Sequence, residues 1–231
     1  MGIALRLAQA QASVTIIGRN EEKGQEIVEK MKNLVTSTDT TGTPAPQHAF
    51  IKCDASLLKN IKACSTKFIA NNDSLDILVM TQGIASMNGY TPTSEGIEQK
   101  LAVHYYGRVL FAQLLLPLLA ASPDGRVMSV LSAGVHSPYA KYNTDPDLES
   151  SFSIKNGADS AGFYNDIAID KLSKEAPTVS FFHTAPGFVG SNWGSELAWY
   201  LRGPIRLLQA TVATTVQVSD MDFIRCSDAL M

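Results

Sequence analysis

Short runs of β-branched and apolar residues alternate with helical patterns along most of the chain, and this alternation limits the fold more than any other feature. Helical periodicity fills the intervals between the runs. Because consecutive parallel strands are joined by helical crossovers, this order predicts an α/β fold with a doubly wound, mostly parallel sheet. The predicted strands cover residues 13–17, 49–53, 75–80, 126–131 and 178–183.

Capping residues and apolar spacing mark the predicted helices. Asn20 is a predicted N-cap, and Ser56 is predicted to cap the next helix along the chain. Residues 3–10 predict the first helix, and residues 94–121 predict a long one. The helix after Asn20 has apolar residues at helical spacing, which predicts one amphipathic face. These apolar residues are Ile27, Val28, Met31, Leu34 and Val35.

Length and composition indicate one globular domain over residues 1–231, because a chain of this size buries a sizeable core. Apolar residues make up 45% of the chain and charged residues 18%, with a net charge of −3. This charge gives no electrostatic reason to expect nucleic acid or an anionic membrane as a partner. The apolar stretch 109–121 is interrupted by Gln113 and Pro117 and is too short to cross a bilayer, so it is predicted to be a buried helix.

Cysteine usage and the N-terminus indicate the compartment. The three cysteines form no C-x-x-C pair and are too few for a disulfide framework, which favours a reducing environment. No apolar run with a cleavage site follows Met1, so no secretory signal is predicted. We therefore expect a cytoplasmic protein whose cysteines are small core residues.

Two stretches carry the residues that suggest chemistry. The predicted strand 126–131 is followed by Ser132, which places a hydroxyl at the carboxyl end of a strand, where ligands bind in open parallel sheets. Residues 161–166 are predicted to open a helix with Tyr164 in its first turns. The long polar segment between Ser132 and Tyr164 is either a lid or substrate-binding element or a mobile surface loop.

The order and spacing of these motifs resemble the short-chain dehydrogenase/reductase family. Residues 79–83 stand where that family has a strand ending in an Asn-Asn-Ala-Gly-like turn. Ser132 and Tyr164 stand where it has its catalytic Ser and Tyr, and Pro186 and Gly187 follow a late strand, as in the family. The resemblance implies a Rossmann-like fold and hydride transfer between a nicotinamide nucleotide and a small alcohol or carbonyl compound.

The same resemblance implies roles for further residues. His104 occupies the helix position of the family's proton-relay Asn, and a histidine can also pass a proton at neutral pH; a satisfied core histidine is the alternative. Asp54 is implied to lie near the adenine and Gly83 beside the cofactor ribose. Pro186 and Gly187 are implied to lie near the nicotinamide amide, although turns need Gly and Pro for backbone reasons alone.

The turn after strand 13–17 indicates which nucleotide binds. In dinucleotide folds an acidic residue there binds the ribose 2′-hydroxyl of NAD, whereas an Arg accommodates the 2′-phosphate of NADP. Here Arg19 and Asn20 follow Gly18, and no acidic residue occupies the strand end. This favours NADP over NAD, with an ordinary surface arginine as the alternative.

Proton donation is where the chain departs from the family. Tyr164 could donate the proton and Ser132 a second hydrogen bond to the developing alkoxide. The family lowers the phenol pKa with a Lys four residues after the Tyr, but this chain has Ala168 there. Lys171 or Lys141 is a candidate substitute, and a solvated surface lysine is the alternative.

The start of the chain is the second departure. The family's first strand and glycine-rich turn, which holds the pyrophosphate, are apparently absent, since the sequence begins inside the first helix. In the doubly wound order that strand is central, so its absence is expected to expose two strand edges. Either the chain is a shortened version of a complete relative, with a predicted domain that is incomplete at its N-terminus, or another segment fills the gap. After Gly187 we predict an aromatic helix at 193–201 and no obvious final strand.

Alternative functions remain open. A catalytically impaired relative or fragment would keep the fold without turnover. A serine hydrolase would use Ser132 with His183, but Val130 replaces the first glycine of the G-x-S-x-G motif. His136 and His183 lack metal-ligand spacing, so no metal site is predicted. The apolar helix 101–119 could form the face of a homodimer.

Overall fold

The computed structural model describes residues 1–34 and 45–187. The chain divides into two compact units: the N-terminal unit contains Met1–Asp54 and the C-terminal unit contains Ala55–Pro186. The assignment of one domain to residues 1–231 stays a prediction. The predicted helix at 193–201 lies outside the described residues.

The N-terminal unit packs two helices on a two-stranded parallel sheet. Val14 pairs with His48 and Gly18 with Lys52. Ala8, Val28 and Met31 form its buried core. The first two predicted strands and the first predicted helix are confirmed within about two residues. The second predicted helix is confirmed but ends at Lys32, so Leu34 lies beyond it, and Val35 lies outside the described residues. In order, the elements are α1 (Gly2–Gln9), β1 (Val14–Gly18), α2 (Glu21–Lys32) and β2 (His48–Lys52).

Local chemistry explains α2. The Asn20 side chain accepts a hydrogen bond from the Lys23 backbone N–H at 2.9 Å, which confirms the predicted N-cap. Gly24 lets the helix approach β2 closely, since a Cβ at this position would lie 2.2 Å from the Phe50 ring. A side chain there would overpack the core.

The C-terminal unit has a three-stranded parallel sheet in the order β3-β4-β5. Met80 pairs with Ser129, and Ser129 pairs with His183. Its strands are β3 (Ile77–Met80), β4 (Arg126–Val130) and β5 (Ser180–Thr184). Its helices are α3 (Leu58–Ile69), α4 (Gln99–Leu101), a π-helical segment (Ala102–Tyr106), α5 (Gly107–Ala121) and α6 (Ile154–Glu175).

Two predicted helix starts are wrong. Ser56 does not cap α3, whose N-cap is Leu57; the carboxylate of Glu95 accepts hydrogen bonds from the Leu58 and Lys59 backbone N–H groups at 2.6 and 3.0 Å. The long helix begins at Gln99 rather than at residue 94, where the Glu98 carboxylate caps it. Acidic side chains therefore satisfy both helix N-termini, one of them from far along the chain.

The start of α6 also differs from the prediction. The helix begins at Ile154 with Ser153 as its N-cap, so Tyr164 lies in the middle of the helix. The polar composition of 154–160 hid this helical segment. The preceding connection is packed rather than loose, because Tyr139 is only 2% exposed and Leu148 is fully buried.

One described helix, Gln99–Ala121, is long and apolar enough by length and composition alone to cross a bilayer, and half of its most apolar window is buried. Parallel pairing throughout the described strands agrees with the predicted α/β class. Among these strands β1 pairs only with β2, and β3 pairs only with β4, so each leaves one edge without a strand partner.

Candidate functional site

Ser132 lies just beyond the carboxyl end of β4, and its backbone is held by the neighbouring strand. The Ser132 N–H donates to Nε2 of His183 at 3.3 Å, and Nδ1 of His183 lies 2.5 Å from Oδ1 of Asp166. The peptide of Ser132 is thereby tied through β5 to α6. Because the imidazole accepts from the peptide rather than from the hydroxyl, this contact does not favour the serine hydrolase alternative.

The Ser132 hydroxyl and His136 approach α6 at the same point. A Cβ built on Gly162 would lie 3.2 Å from Oγ of Ser132 and 3.3 Å from Cδ2 of His136. His136 also lies beside a carboxylate, with 3.5 Å between its Nδ1 and Oδ1 of Asp159. Asp159 is 6% exposed and pairs on its other oxygen with the ammonium of Lys155.

Tyr164 is directed elsewhere. Its hydroxyl donates to the carbonyl oxygen of Pro146 at 3.0 Å. Gly162 and Tyr164 are separated by about 200° of rotation around the helix, so they lie on nearly opposite faces. Burial first, then Tyr139 and Asp147, raise the pKa of Tyr164 to about 12. The structure therefore does not bring this phenol to the face of α6 that meets Ser132, and its catalytic role stays a prediction.

The two candidate lysines have other partners. Nζ of Lys171 lies 3.6 Å from Oε1 of Glu175, with 69% of the lysine side chain exposed. Lys141 donates to the Ser151 hydroxyl at 2.8 Å. These contacts do not support either lysine as a substitute for the one missing at Ala168.

His104 lies in the π-helical segment and holds the turn after β3. Its Nε2 accepts the Ile84 backbone N–H at 2.9 Å, and a Cβ on Gly83 would lie 3.5 Å from the same nitrogen. Burial, reinforced by Arg108 and Lys100, lowers the pKa of His104 to about 3. The neutral imidazole therefore carries its proton on Nδ1, and a relay role for it stays a prediction.

A buried polar network at this edge was not predicted from the sequence. Arg108 is 1% exposed and donates to the carbonyls of Met80, Gln82 and Val130 and to the hydroxyl of Ser129. Burial lowers the pKa of its guanidinium to about 10. The only hint in the sequence was a charged residue inside an apolar helix.

Asn165 continues this network from α6. The Ser129 hydroxyl donates to its Oδ1 at 3.0 Å, and its Nδ2 donates to the carbonyls of His104 and Ala161, both at 2.8 Å. Since π-helical turns leave carbonyls outside the regular ladder, they are frequent at functional sites. The network joins β3, β4, the π-helical segment and α6.

In the N-terminal unit the predicted cofactor residues follow the two strands. Arg19 comes directly after β1, and its side chain is exposed; Asp54 comes two residues after β2. The Cys53 N–H donates to the Gly18 carbonyl at 2.9 Å, which extends the pairing of the strands to their carboxyl ends. The Asn20 side chain is occupied as the helix cap. An arginine rather than a carboxylate at the end of β1 fits a 2′-phosphate.

In the C-terminal unit, Nε2 of Gln82 is buried without a hydrogen-bond partner among the described residues. An amide donor left without a partner after β3 fits a ligand that presents oxygen atoms. Gly83 follows it, and Pro186 comes after β5 in the same unit. Gly187, which has a φ of +70°, is assigned to the N-terminal unit. Within residues 1–34 and 45–187 no group of three or more His, Cys, Asp or Glu side chains is arranged to hold a metal ion.

The N-terminal part of the chain identifies its family. Residues 1–144, more than half of the chain, match the short chain dehydrogenase family. The chain belongs to the short-chain dehydrogenase/reductase family. This confirms the predicted family.

The curated relatives are longer proteins. The oxidoreductase AN1596 of Emericella nidulans is 35% identical over 177 residues, which cover 77% of this chain and 50% of the relative. The oxidoreductase andH of Emericella variicolor is 29% identical over 215 residues, which cover 88% of this chain and 60% of the relative. Human retinol dehydrogenase 11 is 32% identical over 133 residues, 58% of this chain and 39% of the relative. The chain thus spans about half the length of the curated relatives it matches.

Solved structures show the same fold at low identity. A short-chain dehydrogenase from Sphingobium yanoikuyae in complex with NADPH matches with a TM-score of 0.69 and 14% identity, covering 99% of this chain and 79% of that one. A metagenomic short-chain oxidoreductase in complex with NADP matches with a TM-score of 0.61 and 18% identity, covering 90% and 83%. These likenesses confirm the predicted Rossmann-like fold.

Proposed function

We propose that this chain is an NADP(H)-dependent oxidoreductase that interconverts a small alcohol and the corresponding carbonyl compound, with NAD(H) as the alternative cofactor. The observation that carries the proposal is Ser132, whose peptide is fixed by His183 and whose hydroxyl lies beyond β4 at the carboxyl edge of a parallel sheet. In this role the Ser132 hydroxyl donates a hydrogen bond to the oxygen of the substrate.

The cofactor would be held by residues that follow the strands. Arg19 would pair with the 2′-phosphate, with Asn20 beside it, and Asp54 would lie near the adenine. Gly83 would lie by the ribose, next in the chain to Gln82, whose amide nitrogen has no partner among the described residues. Pro186 and Gly187 would lie near the nicotinamide amide. When bound, the nicotinamide supplies or accepts the hydride, and the protein positions the substrate and moves the proton.

Cofactor binding tests this proposal directly. We expect the purified protein to change the fluorescence of NADPH on titration, and Arg19→Ala to weaken NADPH binding by roughly tenfold while leaving NADH binding within about twofold. Lys23→Ala, in the first turn of the same helix, is the charge-matched control and is expected to change neither affinity. No change in fluorescence at saturating NADPH would contradict the proposal. If Arg19→Ala weakened NADPH and NADH binding equally, Arg19 would not be the residue that binds the 2′-phosphate.

A relative that keeps the fold without turnover is the second candidate. It is favoured by Ala168 in place of the family's lysine and by the hydrogen bond of Tyr164 to Pro146. Nucleotide binding without reduction of any of a panel of aldehydes, ketones and quinones would favour this candidate. Steady oxidation of NADPH that depends on the carbonyl compound would exclude it.

We also propose a cytoplasmic protein that forms a homodimer through α5. One side of this helix is not covered by its own unit: Leu110 and Leu114 are partly exposed, and Gln113 and Pro117 are exposed between and after them. Two such stripes could pack against each other. The cysteine usage supports a reducing compartment.

A further inference from the structure

Two histidine–carboxylate pairs lie near Ser132, one bonded to its backbone and the other at the point of α6 that its hydroxyl approaches. The first pair, His183 and Asp166, meets the backbone N–H of Ser132. The second pair, His136 and Asp159, comes from the loop after β4 and from α6, and its imidazole approaches Gly162 where the Ser132 hydroxyl also does. Both pairs lie in the C-terminal unit.

The first pair is suited to positioning rather than to proton exchange. Both ring nitrogens of His183 are in use, one by the Ser132 N–H and one beside the Asp166 carboxylate. The ring is almost fully covered by protein. His183 therefore fixes the serine backbone and has no nitrogen left for an incoming group.

The second pair leaves a nitrogen available. Nδ1 of His136 faces Asp159, whereas Nε2 makes no hydrogen bond to another residue of the described part of the chain. The His136 side chain is 29% exposed, so solvent protons can reach it. A carboxylate that orients one ring nitrogen and leaves the other open is the usual arrangement of a histidine acid or base.

Gly162 lets the His136 side chain and the Ser132 hydroxyl approach the same point of α6. A Cβ at Gly162 would lie 3.2 Å from Oγ of Ser132 and 3.3 Å from Cδ2 of His136, the ring carbon bonded to Nε2. The hydroxyl and the Cβ–Cδ2 side of His136, whose Cβ would lie 3.4 Å from the same Cβ, thus meet at one point of the helix. Catalytic hydrogen bonds are often long or poorly aligned before substrate binds, so a hydrogen bond between Nε2 and Oγ is required only in the substrate complex.

We propose that His136, oriented by Asp159, exchanges the reaction proton with the hydroxyl of Ser132, in the place that a tyrosine–lysine pair has in the family. This inference rests on the proposed function, because it needs a carbonyl substrate whose oxygen meets Ser132. It accounts for two differences from the family. Ala168 stands in place of the family's lysine, and the Tyr164 hydroxyl donates to the Pro146 carbonyl.

The proton balance in the direction of reduction is closed by solvent. The substrate oxygen takes the proton of the Ser132 hydroxyl while its carbon receives the hydride from NADPH. The Nε2–H of the His136 imidazolium then replaces the proton on Oγ, and the ring takes up a proton from water. One carbonyl is reduced to an alcohol, one NADPH is oxidised to NADP⁺, and one proton leaves solution.

The ring tautomer of His136 tests the arrangement without cofactor or substrate. The chain has four histidines, so single substitutions assign each ring signal in a ¹⁵N NMR spectrum. At a pH where the imidazole is neutral we expect His136 to carry its proton on Nδ1, facing Asp159, and Asp159→Ala to shift the population toward Nε2–H. An Nε2–H tautomer in the wild-type protein would overturn the proposal.

Turnover of the quinone phenanthrenequinone with NADPH tests the proton step. We expect His136→Gln to lower kcat by about 100-fold and Asp159→Asn to lower it by about tenfold. The loss of kcat in His136→Gln should be at least tenfold larger than the loss in Tyr164→Phe. The Kd of NADPH should change by less than about twofold in each variant. Lys174→Gln, an exposed change on the same helix, is the control and should leave kcat within about twofold.

The outcomes separate this inference from the proposed function. A kcat of His136→Gln within about threefold of wild type, or a larger loss in Tyr164→Phe, overturns the role of His136 and leaves the oxidoreductase standing. If the wild-type protein binds NADPH but does not turn over, the proposed proton step is overturned and the proposed cofactor site still stands. Absence of NADPH binding overturns the proposed function. The His136 tautomer is measured without cofactor, so it tests the orientation of His136 independently of NADPH binding.

Discussion

Three tyrosine hydroxyls reach the same short segment of the loop before α6. Tyr106 donates to the Asp147 carboxylate, Tyr139 to the Asp145 carbonyl at 3.1 Å, and Tyr164 to the Pro146 carbonyl at 3.0 Å. The Tyr164 ring also packs on Tyr105, with 5.1 Å between ring centroids. The loop that the sequence left open between a lid and a mobile segment is thus anchored at 145–147 by aromatic side chains.

Substituting Tyr164→Phe separates an anchoring role from a chemical one. It removes one hydrogen bond and keeps the ring, so we expect the free energy of unfolding to fall by roughly 1 kcal/mol and cleavage by a protease within the loop to accelerate. Urea unfolding and limited proteolysis measure both. Unchanged stability together with a steep loss of turnover would restore the phenol to the chemistry.

His104 gives the protein a predictable response to acid. Burial lowers its pKa from 6.5 to about 3, so between these values the unfolded chain binds a proton that the folded chain does not. The contribution is fully present above about pH 6.5 and is lost as the pH falls toward about 3. From about pH 7 to about pH 5, one such group lowers the free energy of unfolding by roughly 2 kcal/mol.

The His104→Gln variant isolates this effect, since it removes the titrating group and keeps a side chain that can accept the Ile84 N–H. We expect its free energy of unfolding to fall by roughly 2 kcal/mol less than that of the wild type over the same pH range, as measured by urea titration at each pH. Parallel pH profiles for the two proteins would show that the imidazole is protonated in the folded state.

At the scale of elements, Arg108 joins the strand ends to the helices. Its guanidinium on α5 donates to carbonyls after β3 and at the end of β4, and through the Ser129 hydroxyl it connects to Asn165 on α6. A buried cation with no carboxylate within salt-bridge distance among the described residues is costly unless its donors are satisfied. Four oxygens satisfy most of them here, although Nε has no partner within the described residues.

Replacing Arg108→Met keeps the length of the side chain and leaves the carbonyls of Met80, Gln82 and Val130 without this donor. We expect the free energy of unfolding to fall by about 3 kcal/mol, because buried acceptors lose their hydrogen bonds. The matched control is Arg126→Met: Arg126 is partly exposed and lies 3.3 Å from Asp124, so its loss should cost less than about 1 kcal/mol. Equal costs in urea unfolding would contradict a specific role for Arg108.

At the scale of the whole molecule, the chain of 24.9 kDa has two compact units, and each has its own parallel sheet. The proposed dimer forms through the partly exposed side of α5, and neither sheet takes part in it. Light scattering after size-exclusion chromatography should therefore give a mass of twice 24.9 kDa.

Leu114→Glu should shift this mass to that of one chain, since it places a charge in the apolar stripe. Ile69→Glu, at an exposed position of α3, is the matched control and should leave the mass unchanged. A single-chain mass for the wild-type protein at high concentration would exclude the dimer.

Local patterns in the sequence predicted the elements but not all their ends. The alternation of strand and helix, the Asn20 cap and the position of Ser132 after β4 depend on periodicity and on neighbours within a few residues. The start of α6 was missed because its first turns are polar, and the cap of α3 was missed because Glu95 is far away in sequence.

The sequence by itself determined the parallel α/β class, the family and the placement of a serine hydroxyl at a strand end, because these depend on spacing along the chain. Only the tertiary structure decided the partners of the polar groups: Arg108 with the strand carbonyls, Tyr164 with Pro146, and the Ser132 N–H with His183. Such partners are separated by tens of residues, and packing alone sets which face of a helix meets which strand.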